Sequence, residues 1–275
     1  MQATPEIGKS IRAGGVTTNY HEAGKGTPVI LIHGSGPGVS AWANWSRAIP
    51  YLAEYFHVFA YDQLGFGYTE LPEEHVYGLE QWTEHLLSFM SAVGVQKAHL
   101  VGNSMGAAVA LAAAVKYPEA VDRLVLMGAM GVRFPLSEGI NAVWGYSPSV
   151  ANMRALLDIF AYNRQLVTDD LAELRYRASI RPGMQEAFSS MFPSPRQQGV
   201  DALAAYEDRL GGIRVPALVI HGRDDRVIPL ATSEKLLHVL DNVQLHVFGH
   251  CGHWTQIEHA ATFNRLVRDF LMEER

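Results

Sequence analysis

Gly102-Asn103-Ser104-Met105-Gly106 is the stretch that decides the fold of this chain. It follows an apolar run, Ala98–Val101, and opens an alanine-rich helical run from Ala107 to Val115. A strand that turns into a helix through Gly-x-Ser-x-Gly forms a nucleophile elbow, a tight turn that lifts the serine hydroxyl clear of the sheet. Taken alone, the pentapeptide is also compatible with an ordinary surface turn. Two further segments, placed in the chain order that an elbow requires, favour the elbow.

The composition is that of a folded protein. The 275 residues can form one large α/β domain or a core with an insertion, and 48% of them are hydrophobic, which argues against disorder. The net charge of −6 comes without blocks of like charge, so neither nucleic acid nor a membrane is an expected partner. The single cysteine, Cys251, excludes an internal disulfide and is typical of a reducing compartment. Since no signal peptide pattern or bilayer-spanning apolar stretch is visible, we expect a cytoplasmic protein.

Short apolar runs alternate with amphipathic runs along most of the chain. Continuous apolar strands separated by helices predict an α/β fold whose mostly parallel central sheet is flanked by helices on both faces. The predicted strands are 28–32, 57–61, 98–101, 123–127, 217–220 and 243–247. The predicted helices of this core are 41–55, 79–93, 107–115, 231–240 and 254–272.

The alternation stops between Phe134 and Leu210. This part of the sequence has no convincing buried strand, only helical stretches at 150–162, 168–179 and 184–191 that prolines separate. We therefore predict a core of residues 1–133 and 211–275, interrupted by an all-helical lid of residues 134–210.

Two downstream segments offer the groups that a serine nucleophile needs. A serine hydroxyl is activated by an adjacent base, which a third group orients. His221–Pro229, which contains Asp224 and Asp225, and Gly249–Trp254, which contains His253, each follow a predicted strand. Because parallel strands bring their carboxyl ends to one edge of a sheet, these side chains can converge on Ser104. The chain order Ser, Asp, His is the one that this kind of fold uses.

Both the acid and the base have competitors in the sequence. The Gly-x-x-Asp spacing from Gly222 favours Asp225 as the acid, whereas Asp224 is better placed to cap the turn or to pair with a neighbouring arginine. His253, between Gly252 and Trp254, is favoured as the base over His250 and His259. We expect Cys251 to be a small buried residue, because no elbow presents it.

The glycine-rich segment His33–Gly38 is a candidate oxyanion hole. Attack on a carbonyl develops negative charge on its oxygen, which preorganised backbone N–H groups stabilise. One donor is the residue after the nucleophile, Met105, and the other comes from a loop after an early strand, here Ser35 or Gly36. The segment lacks the Gly-Lys-Ser/Thr of a phosphate loop, and its glycine spacing is not Gly-x-Gly-x-x-Gly. We expect His33 to hold the loop by hydrogen bonds.

The sequence gives no sign of a metal or an organic cofactor. The histidines show no metal-ligand spacing, and His-Glu-x-x-His does not occur. We therefore predict a cofactor-independent enzyme.

Together these segments resemble the α/β-hydrolase family, and within it the meta-cleavage-product hydrolases. The resemblance runs nearly end to end and includes the lid, and Ala107, where relatives often carry glycine, is a modest departure. It rests on HGSGPGVSAWANW at His33–Trp45, GNSMG at Gly102–Gly106, ASIRPGMQ at Ala178–Gln185 and GHWTQIE at Gly252–Glu258.

The resemblance implies a reaction. These enzymes hydrolyse a carbon–carbon bond in dienoates formed by aromatic ring fission, and the branch most similar in sequence acts on 2-hydroxymuconate semialdehyde and its methyl homologue. The expected products are 2-hydroxypenta-2,4-dienoate and a small acid, formate or acetate. The resemblance also implies a homo-oligomer.

The resemblance further implies substrate-binding roles. Asn103 and Trp254 match positions that hold the enol and dienoate end of the substrate. Arg175 matches the lid arginine that binds the carboxylate, a pairing that suits a guanidinium; Arg177 and Arg181 are alternatives. Trp144 is expected to line the pocket of the leaving acyl group or to belong to the core of the lid.

Two other functions stay open at the level of sequence. A carboxylesterase can use the same triad on a neutral ester, and a ligand receptor can keep a triad with negligible turnover. A dehalogenase or epoxide hydrolase is disfavoured, since those enzymes need an aspartate in place of Ser104.

Overall fold

The computed structural model describes residues 4–72 and 76–273. Its centre is an eight-stranded sheet. The strands are β1 Lys9–Ala13, β2 Val16–Ala23, β3 Pro28–Ile32, β4 His57–Tyr61, β5 Ala98–Asn103, β6 Val121–Met127, β7 Ala217–Gly222 and β8 Val243–Phe248. Their order across the sheet is β1-β2-β4-β3-β5-β6-β7-β8. From β4 to β8 across the sheet all neighbours are parallel.

The sequence pattern did not predict the first two strands. They form an antiparallel hairpin in which Ala13 pairs with Val16, and β2 then runs antiparallel to β4. Gly14 and Gly15 make the two-residue turn with φ of 57° and 87°, values that favour glycine in such turns. The hairpin lies at the edge of the sheet, where most residues of β1 are exposed, so it lacks the continuous apolar run of a buried strand.

Helices cover both faces of the sheet. The helices outside the lid are α1 Ala41–Trp45, α2 Ile49–Leu52, α3 Leu79–Ala92, α4 Met105–Lys116, α10 Leu230–Val239, α11 Thr255–Glu258 and α12 Ala260–Met272. One apolar cluster joins the sheet to α3, α4 and α10, and a second joins its other face to α1, α2 and α12.

Two predicted core helices are each broken into two. The helix predicted over 41–55 is α1 and α2, because α1 ends at Trp45 and a new helix begins at Ile49 with Pro50 in its first turn. The helix predicted over 254–272 is α11 and α12, because His259 leaves the helical conformation at φ −121° and ψ 37°.

Residues 134–210 contain helices and no strand. The helices are α5 Glu138–Trp144, α6 Val150–Phe160, α7 Asp169–Ser179, α8 Met184–Met191 and α9 Gln197–Leu203. Two of them meet loops at the carboxyl edge of the sheet. A Cβ atom at Gly38 would lie 2.5 Å from the Arg175 carbonyl oxygen in α7, and the His253 N–H donates to the Phe160 carbonyl at the end of α6.

None of the helices in the described ranges combines the length and the apolar character that crossing a lipid bilayer requires.

Candidate active site

Ser104 lies in the sharp turn between β5 and α4, with φ 55° and ψ −116°. Its N–H donates to the Met127 carbonyl at 2.8 Å, which holds the turn against the next strand. A Cβ atom at Gly102 would lie 2.4 Å from the Gly106 carbonyl, so that position needs glycine. Strain of about 1–3 kcal/mol in a backbone of this kind is typical of functional sites. The predicted strand-to-helix turn at Ser104 is therefore present.

Asp225 and His253 form a hydrogen-bonded pair in loops that follow β7 and β8. Oδ2 of Asp225 lies 2.7 Å from Nδ1 of His253, and both side chains are almost fully buried. Oδ1 of Asp225 accepts from the N–H groups of Val227 and Ile228 at 2.7 and 3.0 Å. Because a carboxylate accepts, Nδ1 of His253 carries the proton and Nε2 is left free as a base.

The electrostatics keep Asp225 ionised. Its burial alone would raise its pKa, but the charge and hydrogen bond of His253, the nearby His221 and the backbone donors outweigh burial and lower that pKa. His221 lies 3.4 Å from Oδ2 of Asp225 and bonds to Ser233 and to the Ile228 carbonyl. Burial lowers the pKa of His221, so this ring supports the acid loop in its neutral form.

The competing acid and thiol lie outside this pair. Asp224 pairs with Arg223 at 3.2 Å and accepts from the Cys251 N–H, as the sequence suggested for this carboxylate. Cys251 is fully buried, and burial raises the pKa of its thiol, which therefore stays protonated.

The competing histidines also have other partners. His250 bonds to the Tyr162 hydroxyl at 2.8 Å, and the ring of His259 stacks on Phe248. Among the three candidate bases, His253 is the one that contacts Asp225.

Ser104 and His253 border the same cavity, which has a volume of about 250 Å³. Residues of the lid cover it: Leu157 and Phe160 come from α6, and Leu171 and Arg175 come from α7. The lining is polar near Asn44 and Asn103 and apolar near residues of α5 and α6. The lining residues include Gly34, Ser35, Gly36, Asn44, Arg47, Asn103, Ser104, Ile140, Val143, Met153, Leu157, Phe160, Leu171, Arg175, Val227, His253, Trp254 and Ile257.

The glycine-rich loop forms one wall of this cavity through Ser35 and Gly36. His33 holds the loop, as predicted: its Nδ1–H donates to the Gly34 carbonyl and its Nε2 accepts from the Gln63 N–H. The N–H of Met105 lies in the first turn of α4, where helical N–H groups have no intrahelical partner. Oxyanion stabilisation by Met105 with Ser35 or Gly36 stays a prediction that this placement permits.

Two asparagines make the polar wall. Asn103 Nδ2 donates to the Met127 carbonyl, and its Oδ1 accepts from Asn44 Nδ2 at 3.1 Å. Oδ1 of Asn44 has no hydrogen-bond partner among the described residues, although the residue is only 7% exposed. Asn44 and Asn103 both border the cavity, so they give this wall its polar character. Sequence reasoning missed Asn44, although it lies in the quoted HGSGPGVSAWANW segment.

Arg175 is the lid arginine that borders the cavity. Its Nη1 donates to Oε1 of Glu6 at 2.8 Å and to the Gly38 carbonyl at 3.2 Å. The alternatives have other partners, because Arg177 pairs with Glu173 at the surface and Arg181 lies over the Tyr68 ring. Arg47 is a second cation on the cavity wall, and no motif in the sequence marks it.

Of the two candidate tryptophans, Trp254 borders the cavity and stacks on Phe160 at 5.2 Å between ring centroids. Trp144, expected either to line the pocket of the leaving acyl group or to belong to the core of the lid, lies in the core of the lid. Its ring is 2% exposed and stacks on Phe192 in the core of the lid, while its Nε1–H donates to Ser35 Oγ at 3.1 Å. Stacking in the core of the lid stabilises a large flat ring, and the Ser35 hydroxyl still accepts the hydrogen bond of its N–H.

In residues 4–72 and 76–273 no three His, Cys, Asp or Glu side chains are grouped so as to hold a metal ion.

The chain is similar in sequence to known hydrolases. The family model described as alpha/beta hydrolase fold matches residues 27–260. The chain is 56% identical to 2-hydroxymuconate semialdehyde hydrolase of Pseudomonas sp. (strain CF600), covering 99% of this chain and 96% of that protein. It is also 56% identical to 2-hydroxy-6-oxo-2,4-heptadienoate hydrolase of Pseudomonas putida, covering 98% of each.

Among solved structures, a meta-cleavage product hydrolase from Pseudomonas fluorescens IP01 superimposes with a TM-score of 0.96 at 57% identity, covering 98% of each chain. That protein was a serine-to-alanine variant in complex with acetates.

Proposed function

Because the chain belongs to the alpha/beta hydrolase family, in the group of meta-cleavage-product hydrolases, we propose that it hydrolyses 2-hydroxymuconate semialdehyde or its 6-methyl homologue. The products are 2-hydroxypenta-2,4-dienoate and formate or acetate. The observation that carries the proposal is the buried His253, which is paired with Asp225 and borders one cavity with the elbow serine and a lid arginine.

The reaction begins with a change of tautomer. Protonation of the dienol at carbon gives a keto form, which makes the later carbon leaving group stable enough to depart. Arg175 binds the substrate carboxylate in this scheme, and the Asn44–Asn103 wall holds the enol oxygen. Both assignments are supported by the position of these side chains at the cavity.

Hydrolysis follows at the distal carbonyl. Nε2 of His253 takes a proton from the Ser104 hydroxyl, or from a water molecule that this hydroxyl helps to position, and the oxygen attacks the carbonyl carbon. General base catalysis of this kind contributes about 10²–10⁴-fold. Each N–H donor to the developing oxyanion, from Met105 and from Ser35 or Gly36, contributes about 10²–10³-fold. The carbon–carbon bond then breaks, and the dienoate carbanion takes the proton that Nε2 of His253 holds. On the serine route water next attacks the acyl-enzyme, the ester bond to Oγ breaks, and His253 passes the proton of water to Oγ as the small acid leaves. On the direct route the attacking water has already supplied the hydroxyl of the small acid.

The apolar end of the cavity supports a small acyl group. Ile140, Val143 and Val227 approach the site there, and the whole cavity is smaller than the ~300–1,000 Å³ of pockets for drug-sized ligands. We expect a formyl or acetyl group to fit and a phenyl group to be excluded. As part of this proposal the enzyme works in the cytoplasm, which the single buried thiol of Cys251 supports.

The test is a spectrophotometric panel of dienoates that differ only in the acyl group: hydrogen, methyl or phenyl. We expect repeated turnover of the yellow hydrogen and methyl substrates, seen as bleaching, and poor turnover of the phenyl one. Absence of bleaching with all three, together with rapid cleavage of a neutral ester, would instead identify a carboxylesterase.

A further inference from the structure

We propose that Glu6, in the segment before β1, is a positioning residue for Arg175. It holds one end of the guanidinium so that the opposite edge, Nε and Nη2, binds the substrate carboxylate side-on. This inference rests on the proposed function and extends it to a residue far from the triad in sequence.

The hydrogen atoms of the guanidinium divide into two sets. Nη1 has two, and both are used, by Oε1 of Glu6 and by the Gly38 carbonyl. The other three, on Nε and Nη2, make no hydrogen bond to any described residue, while the side chain borders the cavity. Two parallel N–H groups on one edge of an arginine match the two oxygens of a carboxylate.

The ion pair is sheltered from water. The side chains of Arg175 and Glu6 are 15% and 6% exposed, whereas those of the Arg177–Glu173 pair on the same helix are 73% and 41% exposed. Salt and side-chain motion weaken an exposed pair, but a sheltered pair keeps its geometry. Glu6 can therefore fix the direction in which the guanidinium points.

Glu6 is itself anchored to the core. Its carbonyl oxygen accepts from Asn19 Nδ2 at 3.0 Å and from His21 Nε2 at 3.2 Å, both on β2. The N–H of Gly8 donates to Oδ1 of Asn19 at 2.9 Å. These bonds attach the N-terminal segment to the sheet. Through Glu6, the sheet therefore fixes the position of Arg175 in the lid.

Glu6 also carries a negative charge that opposes a second carboxylate on the same guanidinium. Loss of the correct position of Glu6 should weaken binding of the substrate carboxylate, whereas loss of its charge should not. Two substitutions separate these effects. Glu6→Asp keeps the charge but shortens the reach to Nη1 by one methylene. Glu6→Gln keeps the reach and the acceptor oxygen but removes the charge.

The experiment measures KM and kcat of both variants on the acidic dienoate and on its neutral methyl ester. Positioning predicts that Glu6→Asp raises KM for the acid about tenfold, within the ~10²-fold loss that a misplacement of about 1 Å causes. Glu6→Gln should stay within about threefold of the wild type, and neither should change KM for the ester. In an Arg175→Ala background the effect of Glu6→Asp should vanish, as a double-mutant cycle requires.

Glu22→Gln is the matched control, because it breaks the surface pair with Lys9 on the adjacent strands and lies away from the cavity. The proposal is overturned if Glu6→Gln raises KM more than Glu6→Asp does, if the ester is affected equally, or if the effect persists without Arg175. Circular dichroism and thermal unfolding verify that each variant is folded. If the folded wild type turns over no dienoate, the proposed function fails; if it does and Glu6→Asp behaves as wild type, only the role of Glu6 fails.

Discussion

Oδ2 of Asp225 lies 2.7 Å from Nδ1 of His253, although 28 positions separate the two residues in the chain. The bond selects the tautomer in which Nε2 of His253 is unprotonated and can accept the proton of the attacking group. The same carboxylate is held by two backbone N–H groups, so the orientation of the imidazole is set by the β7 loop.

We therefore expect Asp225→Asn to lower kcat by about 10⁴-fold, because an amide can donate to Nδ1 and favour the wrong tautomer. Steady-state bleaching of the dienoate measures this. Asp224→Asn is the neighbouring control: its carboxylate pairs with Arg223 at the surface and should leave kcat within about twofold. Similar losses for both variants would show that Asp225 does not orient the base.

Gly128 should be intolerant of any side chain. A Cβ atom there would lie 3.0 Å from Cε1 and Nδ1 of His253, and φ is 50°. Gly128→Ala should displace the imidazole of His253 from its position beside Asp225 and lower kcat by about 10²-fold. Gly94→Ala is matched in backbone strain, with φ 77°, but faces open space. It should cost about 1 kcal/mol of stability and leave kcat unchanged, so equal kcat in both variants would contradict the assigned contact.

Arg175→Ala should separate the dienoate hydrolase from an esterase. Removing one partner of a charged pair in a sheltered site costs about 2–5 kcal/mol, so kcat/KM for the acidic dienoate should fall about 10²-fold or more. Cleavage of a neutral ester should change little, because it has no carboxylate to bind. Arg177→Ala, which removes an exposed charge from the same helix, is the control. A comparable loss on the ester would mean that Arg175 supports the lid and not the carboxylate.

The sequence predicted the parallel strands and the loops that carry the catalytic residues better than it predicted the antiparallel β1–β2 hairpin at the end of the sheet. Buried parallel strands are continuous apolar runs, and the elbow and the loops after β7 and β8 carry recognisable residues at fixed places. The β1–β2 hairpin is half exposed and has no such run, so it was missed. The breaks at Ser46 and His259 depend on how each helix packs against the core, which periodicity does not record.

Within the site, the residues found from sequence are those with a local motif. Asn44 and Glu6 were missed because each matters through a partner that is distant in the chain, Asn103 and Arg175 respectively. Trp144 was placed only by analogy, and packing against Phe192 decided its position. The boundaries of the lid and the homo-oligomer stay predictions.

Stability should fall as the pH is lowered from 7 to 5, and buried histidines are the main reason. Burial lowers the pKa of His33 and of His85 from 6.5 to about 4. The unfolded chain therefore binds protons that the folded chain refuses, so stability is lost as the pH falls from about 6.5 to about 4, by up to about 3 kcal/mol for each ring. Burial also raises the pKa of Asp62 to about 6, which has the opposite sign: its contribution is lost as the pH rises from about 4 to about 6.

The buried histidines, to which His221 with its lowered pKa also belongs, outweigh the one carboxyl group and leave a net loss in acid, which urea unfolding at pH 5 and pH 7 measures. His85→Gln should reduce the difference in unfolding free energy between the two pH values, because it removes one of these acid-sensitive rings. His238→Gln, at an exposed position, should keep the wild-type difference. Asp62→Asn should enlarge the difference, since the opposing group is gone. Equal differences in all four proteins would assign the acid sensitivity to other groups.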